Sequence, residues 1–397
     1  MSTAREALVK RTAVLAGVAA LVTSLGLGLA ACGSQRPLST AQPPAHSSSG
    51  SWRTLPRAPV RVDAGLTGVW TGKEMIVTGM HPGPDGTYTD SKDLAAAYDP
   101  ATRAWRRLPT PPKTESYCRR SAVWTGRQVL VWGCALLGFD PLTDRWQRLP
   151  QPLGGMGIAV WTGRELIGWG GGCCGDASSD GSAYNPATAS WRKLAPSPLA
   201  PEQQPLGIWA GRELLLFVSG INPASGKPWP ARFARAAAYD PASDSWRRLA
   251  PIPDPGLRFG GSAAWDGHEM LVVGAGRHAR SALAYDPVAN HWRRLAPLPV
   301  GRLDSHAAWT GRRLFVWGSL ETGNSASPAA LAYDPGTDRW SRLARAPLHG
   351  LAQAVVWTGH ELLVWGGVTP TPAGTNGPVR YLDTGAAFTP TSERSAP

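Results

Sequence analysis

At 397 residues the chain is long enough for two or three ordinary domains or for one closed β fold, so length leaves the domain count to the repeats. Its formal charge of +12 comes from 40 Lys and Arg against 28 Asp and Glu. The arginines recur evenly rather than gathering with aromatics, which argues against a nucleic-acid-binding face. No Gly-x-Ser-x-Gly elbow, phosphate loop or His-Glu-x-x-His motif occurs, so the common hydrolase, nucleotide-binding and zinc-protease signatures are missing.

Residues 1–31 carry Arg5, Lys10 and Arg11 and then an apolar, Gly-rich stretch, the pattern of an export signal that is removed from the mature chain. The stretch closes on Leu29-Ala30-Ala31-Cys32, which resembles a bacterial lipobox. The resemblance implies diacylglycerol on the Cys32 sulfur, and with it an extracytoplasmic protein held to the cell membrane by lipid. Residues 32–50 are rich in Ser, Pro, Gln and Ala, with too little apolar surface to offset ordering entropy, and read as a flexible tether.

From residue 51 onward two marks alternate, each seven times. One is an apolar run into Trp, usually Trp-Thr-Gly, at Trp70, Trp124, Trp161, Trp209, Trp265, Trp309 and Trp357. The other is Trp, a basic or polar pair and Leu, at Trp52, Trp105, Trp146, Trp191, Trp246, Trp292 and Trp340. After the first mark a Gly-containing tight turn between runs of β-formers predicts a hairpin, strands a and b. Before the second, Tyr-Asp-Pro favours a type I turn and predicts a second hairpin, strands c and d. Four short antiparallel strands per repeat is propeller-blade spacing, and such a blade cannot cover both faces until neighbours stack on it.

The two ends support closure of the ring. The seventh repeat has strands a, b and c but Ser395 where the second Trp belongs, while Ser51-Trp52-Arg53-Thr54-Leu55 stands alone at the front with the strand-d pattern. The N-terminal strand is therefore expected to complete the last blade. Eighteen of the 19 Trp lie on this grid, counting Trp132, Trp169, Trp317 and Trp365 at the ends of b strands, and read as blade packing. The arginines of the Trp-Arg-Arg-Leu units read as solvated groups on the outer strand.

Gly170-Gly171 and Gly366-Gly367 at the ends of b strands, Tyr-Asp-Pro and the trailing Trp-x-x-Leu together resemble kelch repeats over residues 51–390. The resemblance implies an all-β, seven-bladed propeller of the type that forms the central domain of galactose oxidase. Single repeats depart from it: Gly79, Gly133, Gly274 and Gly318 lack a second glycine, and Phe139 and Phe388 replace Tyr. Residues 391–397 form a short tail.

Spacing separates the two ends of the blades. The strand-a Trp and the end of strand b are nine positions apart in every repeat, whereas the b-to-c connection leaves 5 residues between Gly133 and Phe139 and 21 between Gly366 and Phe388. All length variation thus falls on the face that carries b–c and d–a loops, where a binding site is expected. Candidates there are Tyr117, Arg119 and Arg120, then Arg258, then Arg302, Asp304 and His306, then His349, all placed just ahead of or within an innermost strand. Trp229, the one tryptophan off the grid, lies between prolines in the fourth b–c loop and suits either stacking on a sugar or protein surface or capping its own loop.

Apart from Cys32 the cysteines are Cys118, Cys134, Cys173 and Cys174. An oxidising compartment favours pairing, and the sequence does not choose among the three connectivities. The galactose-oxidase resemblance implies copper on two Tyr and two His with one Tyr cross-linked to Cys. Tyr117, His306 and His349 approach that set but no distant Tyr–Cys pair accompanies them, so no cofactor or metal is expected. A sugar mutarotase or epimerase is the alternative reading, with Asp304, His306, Arg302 and Glu202 as acid–base groups. The favoured reading is a non-catalytic, monomeric recognition or scaffold lipoprotein that binds a protein or glycan on the b–c face.

Overall fold

A computed structural model describes residues 50–83, 91–114, 120–133, 135–151, 154, 157–172, 176–253, 258–275, 280–299, 303–322, 325–348, 353–369 and 380–391. Every described strand belongs to the unit Ala45–Pro397. The strands form seven four-stranded antiparallel sheets arranged as the blades of a ring.

Blade one is β2 (Ala64–Trp70), β3 (Met75–His81), β4 (Lys92–Asp99) and β5 (Ala104–Arg107), and blade two is β6 (Ser121–Trp124), β7 (Val129–Trp132), β8 (Leu136–Asp140) and β9 (Arg145–Arg148). Blade three is β10 (Ile158–Trp161), β11 (Leu166–Trp169), β12 (Gly181–Asn185) and β13 (Ser190–Lys193). Blade four is β14 (Leu206–Trp209), β15 (Leu214–Phe217), β16 (Ala236–Asp240) and β17 (Ser245–Arg248). Blade five is β18 (Arg258–Trp265), β19 (Met270–Ala275), β20 (Ala282–Asp286) and β21 (His291–Arg294). Blade six is β22 (Leu303–Trp309), β23 (Leu314–Thr322), β24 (Ser325–Asp334) and β25 (Arg339–Arg342). Blade seven joins β26 (Ala354–Trp357), β27 (Leu362–Trp365) and β28 (Gly385–Pro390) to the N-terminal β1 (Gly50–Thr54), with Trp52 opposite Phe388.

In each blade the four strands serve as a, b, c and d, and neighbouring a strands contact one another all the way round, β26 against β2 included, so the a strands line the axis. The b and c strands are almost wholly buried, and each junction between blades holds its own apolar cluster. All seven d-strand indoles donate Nε1–H to a backbone carbonyl of the preceding blade at 2.7–3.0 Å, always four residues beyond that blade's own d-strand Trp. Trp52 to the Ala344 carbonyl is one of them, so β1 binds blade six as well as blade seven. The b-strand tryptophans press edge-on or tilted against the next blade's d-strand Trp, as Trp132 against Trp191 at 5.2 Å and Trp365 against Trp105 at 5.3 Å.

The first arginine of the Trp-Arg unit is not a solvated group. It leaves the outer strand, pairs with a glutamate in the a–b turn of its own blade and reaches the strand-c tyrosine or the c–d turn of the next. Arg192 binds Glu165 Oε2 at 2.8 Å and the Tyr239 hydroxyl at 2.8 Å, while Tyr239 donates to Asp244 at 2.5 Å. Arg53 does the same with Glu361 and Tyr98, Arg106 with Glu74 and Asp144, Arg247 with Glu213 and Tyr285, and Arg293 with Glu269 and Tyr333. Five junctions therefore carry an ionic clasp on the face of the a–b and c–d turns.

The c–d turn is tighter than an Asp-Pro type I turn alone. Asp99 Oδ1 accepts from the Ala101 amide at 2.8 Å, and the residue five beyond the tyrosine or phenylalanine takes positive φ in six blades, at Arg103, Asp144, Ala189, Asp244, Asn290 and Asp338. Asp and Asn tolerate that conformation best among residues with a side chain, and they hold four of the six positions.

Candidate functional site

The b–c and d–a loops share the face opposite the clasps. Blades one and six rise from it, because their b–c connections continue the hairpin: His81 still pairs with Lys92, and Thr322 with Ser325. Blade four instead carries the long b–c loop 218–235, closed by an Ile221–Pro228 bridge and tied to blade three by a parallel Leu199–Ala234 bridge.

Arg120 stands immediately before β6, but its side chain is only 3% exposed and is engaged within the protein. It pairs with Asp93, itself 2% exposed on β4, and donates to the Thr114 hydroxyl at 2.8 Å; Asp93 also accepts from the Thr114 amide at 2.9 Å. The pair locks blade one to blade two, and removing one partner would leave a buried charge without compensation. Arg120 Nη1 is buried and has no hydrogen-bond partner among the described residues.

A second polar group on this face had no sequence signal beyond its scattered residue types. Asp63, 2% exposed, accepts from Arg61 Nε at 3.0 Å and Nη2 at 3.2 Å. His81 Nδ1 lies 3.1 Å from Asp63 Oδ2, the oxygen that also accepts from Arg61 Nη2.

Trp229 fills its own loop. It is half-buried, packs edge-on against Phe233 at 5.9 Å between centroids and joins the blade three–four core, while Arg232 lies over the other ring at 4.7 Å. Its indole Nε1 is buried and has no hydrogen-bond partner among the described residues. Glu202 is buried, and its two oxygens accept from the Ser219 hydroxyl at 2.5 Å and from the amides of Ser219, Gln203 and Gln204. Held by four donors in the brace between blades three and four, it is poorly placed to exchange a proton with a substrate.

His306 is exposed on β22, opposite Trp317. Asp304 on β22 and Arg258 on β18 are described by their backbone alone. Tyr117, Arg119, Arg302, His349 and all five cysteines, Cys32, Cys118, Cys134, Cys173 and Cys174, lie outside the described residues. Arg120, Trp229 and His306 thus share one face while belonging to blades two, four and six, and the structure does not gather them into a single constellation. Among the described residues no group of three or more His, Cys, Asp or Glu could hold a metal ion.

No protein-family model and no curated protein matches this chain.

Proposed function

We propose that this chain is a kelch-type recognition lipoprotein, exported and anchored through Cys32, that captures a protein or glycan partner on its b–c face. The observation that carries this reading is the asymmetry of the ring. One face repeats a clasp from blade to blade, whereas the other varies from the short b–c connection of blade two to the extended hairpins of blades one and six and the braced loop of blade four. A rigid scaffold that varies only in the loops of one side is the usual build of a binding surface. Internal pairing of Arg120 and Glu202 leaves the exposed loop positions, rather than these buried groups, as the contact surface.

Site-directed photo-crosslinking on intact cells tests it. A crosslinker at the exposed positions Ala224 or Lys227 on the b–c loop of blade four is expected to capture one recurrent protein or glycan adduct, and at Arg164 or Arg312 on the opposite face to capture none of it. The same adduct from both faces, or none from the b–c face, would overturn the reading. Anchoring is checked separately: the Cys32 peptide is expected to carry a diacylglyceryl mass, and Cys32→Ser to release the protein from membranes.

A further inference from the structure

The a–b turn of every blade carries a glycine followed by a residue that is basic in all seven, Lys73, Arg127, Arg164, Arg212, His268, Arg312 and His360, and the glycine is preceded by Thr in five blades, by Asp266 in blade five and by Ala210 in blade four. All seven are exposed. Because the a strands line the axis, their turns surround the channel mouth, and the sevenfold repeat becomes a basic collar on the clasp face. Lys73 and Arg127, in blades one and two, lie next to each other in that circle.

Acidic groups on the same face have partners of their own, and Asp266, within the collar, accepts from the His268 and Glu269 amides. The clasp glutamates are each paired with an arginine of their own blade. Asp99, Asp140, Asp240, Asp286 and Asp334 sit farther from the axis and bind their own turn amides through Oδ1. Arg212 approaches Asp240 at 3.8 Å yet remains 88% exposed, so that contact is a weak surface pair.

Two more observations point to the same side. Leu142 and Val288 are the exposed large hydrophobic side chains among the described residues, at 90% and 94%, and both occupy the second position after the Pro-bearing Asp of a c–d turn on this face. The chain also arrives there. A d strand runs from the c–d end toward the d–a end, so β1 begins, at Gly50, on the clasp face. Only 17 residues separate Gly50 from Cys32, a reach of at most roughly 60 Å.

We propose that the clasp face docks on the anionic phospholipid headgroups of the membrane, with the collar on the phosphates and Leu142 and Val288 at the headgroup boundary, so that the b–c face points away from the bilayer. The inference rests on the lipid-anchor reading for its setting, but the surface itself is tested without the lipid. Basic residues near an anionic surface strengthen binding about fivefold each, and exposed apolar side chains at the boundary add to this.

The seven blade cores lie within residues 50–391, so the chain from Gly33 onward serves as an unlipidated probe. It is expected to cosediment with vesicles of phosphatidylglycerol and phosphatidylcholine, to release in high salt and to ignore pure phosphatidylcholine. The variant K73Q/R127Q/R164Q/R212Q is expected to bind more than tenfold more weakly with an unchanged melting temperature, and L142S/V288S severalfold more weakly. R57Q/R345Q, at exposed d–a positions on the other face, is expected to bind as the parent does. Equal binding by parent and collar variant, failure of the parent to bind anionic vesicles, or preference for a soluble polyanion over them would each overturn the proposal. A Cys32 without lipid, by contrast, would overturn the anchor while leaving the vesicle result intact.

Discussion

The junction between blades three and four and the junction between blades two and three are built from the same repeat, yet they are held differently. At the first, Arg192 joins Glu165, Tyr239 and Asp244, and the Ala195 amide donates to Asp244 at 3.1 Å. At the second, the tyrosine is kept as Tyr184 but the other four positions have changed: Gln147 replaces the arginine, Gln128 the glutamate, Ala189 the aspartate, and Pro150 the alanine whose amide would donate. What is left is a Gln147–Gln128 contact at 3.4 Å, and among the described residues no arginine or aspartate reaches Tyr184. The second junction relies on its apolar fit instead, with the Trp132 ring pressed so closely on Gly168 that a Cβ there would overlap it. Charge clasps are therefore optional, while the indole bond to the preceding blade, Trp191 to the Pro150 carbonyl at 2.8 Å, is kept at both.

The largest break removes a strand that serves two junctions. Deleting residues 50–54 strips Phe388 of Trp52, frees the edge of β28 and takes away the Ala344 bond and the Arg53 clasp to Glu361 and Tyr98. Loss of the partly buried Trp52 ring alone is expected to cost about 2–3 kcal/mol, below the range for a fully buried aromatic. The truncated ring is expected to lose its single cooperative melting transition, and hydrogen exchange should rise first in blades six, seven and one. A truncated chain that melted like the parent would show that closure contributes nothing to stability.

Next in size is the clasp itself. Glu213→Ala leaves Arg247 without its carboxylate partner inside a junction, and about 1–3 kcal/mol of destabilisation is expected by urea unfolding. The same truncation at the unclasped junction, Gln128→Ala, should stay within about 0.5 kcal/mol. Equal effects would mean that the clasp geometry carries no more energy than a surface amide pair.

The sequence announced the ring before it announced the clasp. Seven spaced tryptophan marks and the orphan strand at Trp52 define blade number and closure, because each is a repeated signal tied to a period of four strands. The clasp was also legible, but only by reading two distant positions together: Glu accompanies Arg in five repeats, and where Arg is lost the Glu is lost as well, as at Gln147 with Gln128 and Ser341 with Arg313. The candidate site was harder to read. Arg120 and Trp229 have the composition of contact residues, and nothing in the linear chain tells that Asp93, 27 positions earlier, or Phe233, four later, will occupy them. Loops without a repeat offer no internal comparison, so pairing within them is decided by tertiary approach alone.

Repairing the weak junction probes the clasp from the opposite direction. Gln128→Glu with Gln147→Arg places the missing ion pair opposite Tyr184, and is expected to raise stability by about 0.5–1.5 kcal/mol. Ala189→Gly relieves an alanine held at φ 52° and should add about 1 kcal/mol in the thermal midpoint analysis. The same Arg and Glu placed at blade six, where Phe388 offers no hydroxyl, should give less.

The smallest effect separates the two junctions by pH. Partial desolvation would raise the Asp244 carboxyl, but the Tyr239 phenol, the Ala195 amide and Arg192 together hold it below the ordinary aspartate range. A carboxylate lowered in this way stabilises the fold above its unfolded value near 4, and that contribution disappears as pH falls through the lower, folded value. Asp244 is half exposed, so the loss is expected to stay under about 1 kcal/mol. At the alkaline end burial raises the phenols of both Tyr239 and Tyr184, so both junctions lose stability above about pH 10, where the unfolded phenols ionise first. Acid sensitivity is then the distinguishing half: Asp244→Asn should flatten the stability profile below pH 4 and leave the alkaline limb in place. An unchanged acid limb in that variant would remove Asp244 from the clasp and leave the arginine–glutamate pair to account for it alone.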